Sequence, residues 1–375
     1  MRPMRPGVAL VLAVFVLLAL GTTSLGLLFI STQEVWIARS GERATRARWA
    51  AESAVQAALA DWSTRRHRTL PTGTVVEVVP GSVGAGDGAP GRVTIERLAG
   101  PLYLVAATVE DSTGARAAAA ALVRGIGVDE LWRSFPAALA ARAAPVIDTE
   151  AEITADAATL PPPPWSGALC PADAAASLAS ALGSTDRPAF LRAGLDAPDP
   201  GGDGTAPEPD EDAPLSRVGP LSLADLRAIA DVTVDGAVRP APRTLGDACD
   251  TSAAANWGAP LEPDTPCGGR FPVIYAPDDL VMTGGSGQGL LIIDGDLVLA
   301  GDAQFFGAVH VSGTLILRDD AVIRGAAVVA GDAATRLEDA ARIEYRACPL
   351  WRTFTAASAL DQPFAPAGRT WIPMW

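Results

Sequence analysis

The sequence predicts an α+β, membrane-anchored chain in which one long N-terminal helix lies on a small antiparallel sheet and a β-solenoid follows. Three observations predict it. A charge-free run of 23 residues, 8–30, passes without proline into an amphipathic stretch; four short β-type segments separated by turn residues come next; and from Leu291 to Asp332 apolar residues and glycines recur every six residues. With 375 residues, 49% of them hydrophobic, the chain has material for two or three domains with buried cores.

As a helix, the run from Val8 to Ile30 is about 34 Å long, enough to cross the hydrocarbon core of a bilayer. A cleavable signal has an apolar core of roughly 7–15 residues. The longer run here reads as an anchor, with Val8, Leu12 and Ile30 at its start, body and end, although Ala19-Leu20-Gly21 has the small residues of a cleavage site. Arg2 and Arg5 precede it, so the positive-inside rule puts the N-terminus in the cytoplasm and the bulk of the chain outside. No proline interrupts the chain between Pro6 and Pro71. Ala47, Ala51, Ala54, Val55, Ala58, Leu59 and Trp62 recur at steps of three and four and mark one apolar face, with Glu52, Gln56 and Asp61 off it. Together these read as a basic leader (1–7), a membrane half (8–30) and an amphipathic half (31–68), with one helix running from about Val8 to Trp62, roughly 80 Å long, whose lower half needs a surface to cover.

That surface is expected in 74–126. The segments TVVEVV (74–79), RVTIERL (92–98), LYLVAATVED (102–111) and ARAAAAALVR (115–124) read as strands, the last three joined by hairpin turns at 99–101 and 112–114. In the third, Leu102, Leu104, Ala106 and Thr108 alternate with Tyr103, Val105, Ala107 and Val109, so both faces are largely apolar and at least one must be covered.

The leader ending at Gly7, the apolar run from Val8 and the stretch STQEVWIARSGERATRARWAAESAVQAAL, with Ala50, Ala51, Glu52 and Ala54, resemble the N-terminus of PilX-type minor pilins over about the first 65 residues. The resemblance implies cleavage by a prepilin peptidase between Gly7 and Val8. It also implies a single pass through a bacterial inner membrane and pilin-like or pilus-assembly partners. Major pilins of similar sequence carry Glu at the fifth position after the cut, where this chain has Leu12. That departure points to a minor, tip, initiating or simply anchored role.

Near the C-terminus the hexads read LIIDGD, LVLAGD, AQFFGA, VHVSGT, LILRDD, AVIRGA and AVVAGD. Their first and third positions are apolar, and the residues expected in the solenoid core are Leu291, Ile293, Leu297, Leu299, Phe305, Val309, Val311, Leu315, Leu317, Ile323 and Val329. The fifth position is glycine except at Asp319, which lets the backbone turn a corner. Three sides of six residues make an 18-residue rung. The weaker AATRLEDAARIEYR extends the pattern, and 144–160 offers a further coil with Val146, Asp148, Glu150, Glu152 and Thr154 fitting less well. These Gly-punctuated repeats resemble those of bactofilins, which often form the C-terminal part of large PilX-like proteins. The remaining divisions are a mixed region (127–195), an acidic loop (196–220), a disulfide-bearing insertion (221–270), the solenoid (271–346) and a tail (347–375).

Composition excludes much chemistry. A net charge of −14 opposes a polyanion, so nucleic acid is not expected as a partner. Every basic residue is arginine, which removes Schiff-base lysines, P-loops of the GKS/GKT type and Lys–Asn isopeptide links. With only His67 and His310, both read as surface residues, and with no CxxC, neither a metal site nor a Ser–His–Asp arrangement is expected; the reading is non-catalytic, without metal or cofactor. Residues 196–214, with seven acidic residues, five prolines and no basic residue, read as a mobile tether that lacks the DxDxDG calcium spacing. Asp294, Asp296, Asp302, Asp320 and Asp332 read as turn formers. Four cysteines in an exported segment suggest two disulfides among three possible pairings; the short loop between Cys249 and Cys267 favours that pair and leaves Cys170 with Cys348. Phe306 and His310, expected to face outward on neighbouring sides, offer contacts to sugar or protein. The functional expectation is therefore a PilX-like minor pilin or pilus-assembly protein. The alternative is an anchored β-helix that binds or processes envelope polysaccharide outside any pilus.

Overall fold

The computed structural model describes residues 6–62, 67, 70–78, 92–110, 114, 116–155, 188–192, 215–361 and 371–374. Two units divide them: one takes residues up to Trp62, Leu70–Arg124 and the segment from Ala365, the other Ser63–Thr69 and Gly125–Phe364.

Helix α1 spans Pro6–Ala60, 55 residues without a break and about 83 Å long. Its hydroxyl residues do not compete with the helical backbone. Thr22 donates to the Leu18 carbonyl at 3.0 Å, Thr23 to Ala19 at 2.9 Å and Thr45 to Gly41 at 2.8 Å, each satisfied within one turn. From Leu10 to Arg46 every residue is exposed; burial begins at Ala47 and continues through Ala51, Ala54, Val55, Ala58 and Trp62. That face packs on an antiparallel sheet of β1 (Val75–Val78), β2 (Arg92–Ala99), β3 (Leu102–Glu110) and β4 (Arg116–Arg124). Tyr103, Val105, Ala107 and Val109 of β3 point into the helix–sheet core, and Trp62 meets Tyr103 edge to face at 5.2 Å. Ala51 and Ala54 on the helix face Ala107, Ala119 and Ala121 on the sheet within that core, so the two backbones pack closely.

The other unit is mainly β and contains parallel sheets. Its strands include β5 (Leu139–Ala141), β6 (Val146–Ile147), β7 (Glu152–Thr154), β8 (Phe190–Arg192), β9 (Arg217–Val218), β10 (Leu221–Ser222), β11 (Val232–Thr233), β12 (Gly236–Val238), β13 (Thr244–Leu245), β14 (Ala248–Cys249), β15 (Val273–Ala276) and β16 (Leu280–Met282). They continue with β17 (Ser286–Ile293), β18 (Leu297–Leu299), β19 (Gln304–Val311), β20 (Leu315–Leu317), β21 (Val322–Val329), β22 (Arg336–Leu337) and β23 (Arg342–Tyr345). One sheet runs β11-β15-β17-β19-β21-β23-β7, the other β12-β16-β18-β20-β22-β6, and every neighbouring pair in both is parallel. Phe305 pairs with Ile323 and Leu297 with Leu315, an offset of 18 residues; beyond Leu317, which pairs with Leu337, the offset is 20 because two residues enter the turn before β22.

Glycine explains the bends. The long strands β17, β19 and β21 each turn at their middle on Gly289, Gly307 and Gly325, which lie in one register with φ of 121°, 138° and 149°. A methyl group at Gly325 would overlap the Gly307 carbonyl of the adjacent strand. At Gly301 the nearest atom to such a methyl is 3.7 Å away, and two strands on, the equivalent corner residue is Asp319, with φ of 60°. Only a positive φ is needed there, which Asp tolerates, so the one break in the glycine row falls at a corner with room for a side chain.

Three segments differ from the expected divisions. After the acidic loop, parallel pairing begins at Val232, inside the region read as an insertion, rather than at 271. The segment after Arg346 is not a bare tail: Ala347–Ala356 is a helix with Cys348, Leu350, Thr353 and Phe354 buried, and β24 (Trp371–Met374) pairs with β4 in the helix–sheet unit. The stretch 144–155 joins the parallel sheets, but at their far end: β6 pairs with β22 and β7 with β23, while β5 takes the place beside β21 that the chain vacates after Tyr345. Earlier residues thus complete the layer that later residues leave unfinished. Most of the acidic loop, 193–214, lies outside the described residues.

Candidate functional site

The anchor candidate is the exposed part of α1. It is the one helix among the described residues long and apolar enough to cross a membrane, with a mean hydropathy of 2.4 in its best window and none of that window buried. Leu12 is 64% exposed and Ile30 55% exposed, so neither is spent on an internal core. Gly7 and Val8 fall in the first turn of the helix; Arg2 and Arg5 lie outside the described residues.

In the parallel unit, Leu291, Ile293, Leu297, Leu299, Phe305, Val309, Val311, Leu315, Leu317, Ile323 and Val329 all lie fully buried in one core. The corner aspartates bind backbone. Asp296 accepts from Thr314 N–H at 2.6 Å, Asp279 from Asp296 N–H at 2.8 Å and Asp319 from Gly301 N–H at 2.8 Å, so each carboxylate ties one layer to the next. Asp294 takes the Tyr275 hydroxyl, Asp302 pairs with Arg239 at 3.7 Å and Asp332 with Arg142 at 3.2 Å. Asp320 contributes its backbone N–H, which donates to the Gly301 carbonyl at 3.2 Å.

Phe306 and His310 are corrections. Both were expected to face outward, and both point away from the inner core, yet neither reaches solvent: Phe306 is 2% exposed and His310 fully buried. Phe306 packs with Phe271 and Cys348, under the helix Ala347–Ala356, and the Arg324 guanidinium lies 5.2 Å over its ring. His310 Nε2 donates to the Leu215 carbonyl at 2.7 Å, while Nδ1 finds no partner among the described residues. Burial pushes the His310 imidazole below its ordinary range, against the smaller upward pull of the Leu215 carbonyl. His67, also read as a surface residue, is buried at 4% exposure. The covering elements explain the errors, since nothing in the strand pattern announces that later and earlier segments fold over its outer faces.

Cys249 and Cys267 form a disulfide with Cα atoms 4.8 Å apart, beside the buried Asn256, whose amide donates to the Arg243 and Asp250 carbonyls. Cys348 is disulfide-bonded and no described cysteine is free; Cys170 lies outside the described residues.

Two polar groupings were not foreseen. Under the C-terminal helix, Glu344 meets Arg324 at 3.4 Å and Arg346 at 3.0 Å, and Arg324 also donates to Gln304 at 2.7 Å. Register brings this group together: Phe306, Arg324 and Glu344 stand in one column across β19, β21 and β23. Asp235, Asp278, Asp279 and Asp294 line an open cavity of about 550 Å³ with Gly236, Pro277 and Gly295. Beside it the Tyr275 phenol is held above its ordinary range by its hydrogen bond to Asp294, and Arg227 sits 5.5 Å over its ring. No group of side chains arranged to hold a metal ion occurs among the described residues. Comparison of the chain with protein-family models, with curated proteins and with solved structures finds no match.

Proposed function

We propose that this chain is a membrane-anchored, extracytoplasmic assembly protein of the PilX-like minor pilin kind, non-catalytic, whose C-terminal part is a β-solenoid. The observation that carries the reading is α1: one uninterrupted helix whose outer half is exposed and apolar while its lower half is committed to an antiparallel sheet. A helix serving only as a signal or a plain tether has no need to continue into a folded unit. The 18-residue parallel register, with glycine-bent strands and one continuous apolar core, supports the solenoid. Leu12, in place of the glutamate of major pilins, favours a minor subunit. Its work is then assembly: the span inserts in the inner membrane with the N-terminus cytoplasmic, and the helix packs against pilin-like partners.

The polysaccharide-binding alternative draws less support, because the aromatic and imidazole groups it relied on, Phe306 and His310, are covered by the chain itself. Co-expression of the full chain with a prepilin peptidase, followed by intact-mass measurement, tests the proposal. Loss of residues 1–7 is the expected result; an intact N-terminus on an exported, membrane-bound chain overturns pilin processing and returns the plain anchor.

A further inference from the structure

Between Ile30, where the charge-free run ends, and Ala47, the first residue that α1 buries, every residue is exposed. This stretch is also a local inversion of charge. In a chain of net charge −14, residues 31–50 hold four arginines, Arg39, Arg43, Arg46 and Arg48, against two glutamates, Glu34 and Glu42. Arg46 is ion-paired with Glu42, and Arg48 with Glu52 at 2.9 Å. Arg39 and Arg43 make no ion pair among the described residues.

Those two arginines are one turn apart on the same helix face, and Trp36, 68% exposed, stands on that face three residues before Arg39. At about 1.5 Å per residue, Trp36 lies roughly 9 Å and Arg39 roughly 14 Å beyond Ile30 along the axis. Helical side chains lean toward the helix N-terminus, which here is toward the membrane, and a long arginine stem carries its guanidinium further the same way. Indole rings settle at headgroup level, and a guanidinium fork matches phosphate oxygens.

We propose that Trp36 and Arg39 form an interfacial site for the headgroups of anionic phospholipids in the leaflet at the C-terminal end of the span, with Arg43, roughly 20 Å beyond Ile30 along the axis, adding to the attraction of the anionic surface from outside the headgroup layer. The inference rests on the anchor reading above. Each arginine held at an anionic surface contributes about a fivefold preference.

The test uses the full chain in nanodiscs of mixed phosphatidylcholine and phosphatidylglycerol, released into the gas phase for native mass spectrometry of the lipids that stay bound. Phosphatidylglycerol is expected to be enriched about fivefold or more over the bulk mixture. Enrichment should fall to the bulk ratio in the Arg39→Gln/Arg43→Gln variant, survive in part in Arg39→Lys/Arg43→Lys and remain in Arg116→Gln, a sheet position. All of these side chains are exposed, and unchanged far-ultraviolet circular dichroism shows that each variant is folded. Bulk composition around the wild-type chain, or equal enrichment in the glutamine variant, overturns the proposal; a stalk that serves a protein partner gives that result. A chain that fails to enter nanodiscs at all refutes the anchor reading instead.

Discussion

The helix–sheet unit and the parallel-strand unit bury apolar surface in different ways, and the difference decides what each tolerates. In the first, a single helix face meets a single sheet face, and small residues on both sides set the distance. In the second, equivalent positions stack on one another across consecutive layers, so a misfit in one layer is pressed directly on the next. The helix–sheet unit is therefore sensitive to loss of its large anchors, and the parallel unit to gain of volume at the bends where adjacent strands approach closely.

The largest effect expected from this contrast is at Gly325. Gly325→Val forces a β-branched residue into a backbone region reserved for glycine and drives its side chain into the Gly307 carbonyl. The cost should reach about 4–5 kcal/mol or more, enough to abolish the cooperative unfolding transition of the parallel unit in calorimetry. A variant that unfolds like the parent would remove close approach as the governing constraint. Next comes Trp62→Ala, which deletes the ring packed on Tyr103 and should cost about 3–5 kcal/mol, read as faster hydrogen exchange at β3 and β4 amides. Were that cost below about 1 kcal/mol, the alanine faces and not the large anchor would hold the helix.

A smaller effect is tied to pH. His310 is buried and neutral, with its folded-state pKa below its ordinary value of 6.5. The unfolded chain therefore binds the proton more readily, so this contribution to stability is full above about 6.5 and is lost as pH falls toward the folded value. Urea midpoints between pH 7.5 and 5 should decline for the parent and decline less for His310→Gln; parallel slopes would show that the imidazole is not the group responsible. The smallest effect belongs to Gly301→Asn, at the corner where Asp319 already stands two strands on. It should change stability by no more than about 0.5–1 kcal/mol in the same titration. A loss as large as that at Gly325 would erase the distinction between the two kinds of bend.

Legibility in the sequence follows the same divide. Strands β1 to β4 of the first sheet lie within a residue or two of their expected segments, because turn residues bracket them and the neighbour of each in space is its neighbour in sequence. The 18-residue register was legible because glycine and apolar residues must repeat wherever layers stack. What stayed hidden were strands whose partners are remote and whose own lengths carry no period: β5 has three residues and β24 pairs across most of the chain, while β6 and β7 fall inside the stretch 144–160 that the sequence offered as a weaker coil. The burial of Phe306 and His310 was hidden for the related reason that their covers, 347–356 and the segment from Leu215, come from outside the repeat. The aspartate-lined cavity draws on three separate stretches, and only the pair Asp278-Asp279 is adjacent in sequence.

The layer completed by β5, β6 and β7 imposes an order of events. Arg142 reaches Asp332 across 190 residues, and Asp339 N–H reaches Asp148 across 191. As the chain emerges from the ribosome or across a membrane, β6 and β7 must wait, with their pairing groups unmatched, until the stretch from Arg336 to Tyr345 arrives, and β5, paired on one edge with β8, waits on the other for β21. Closing so long a loop is slow, and an unpaired edge is open to wrong partners throughout the delay. The edge that this late closure leaves is therefore built from β6 and β7, which end the two parallel sheets, and not from the last strands of the repeat itself.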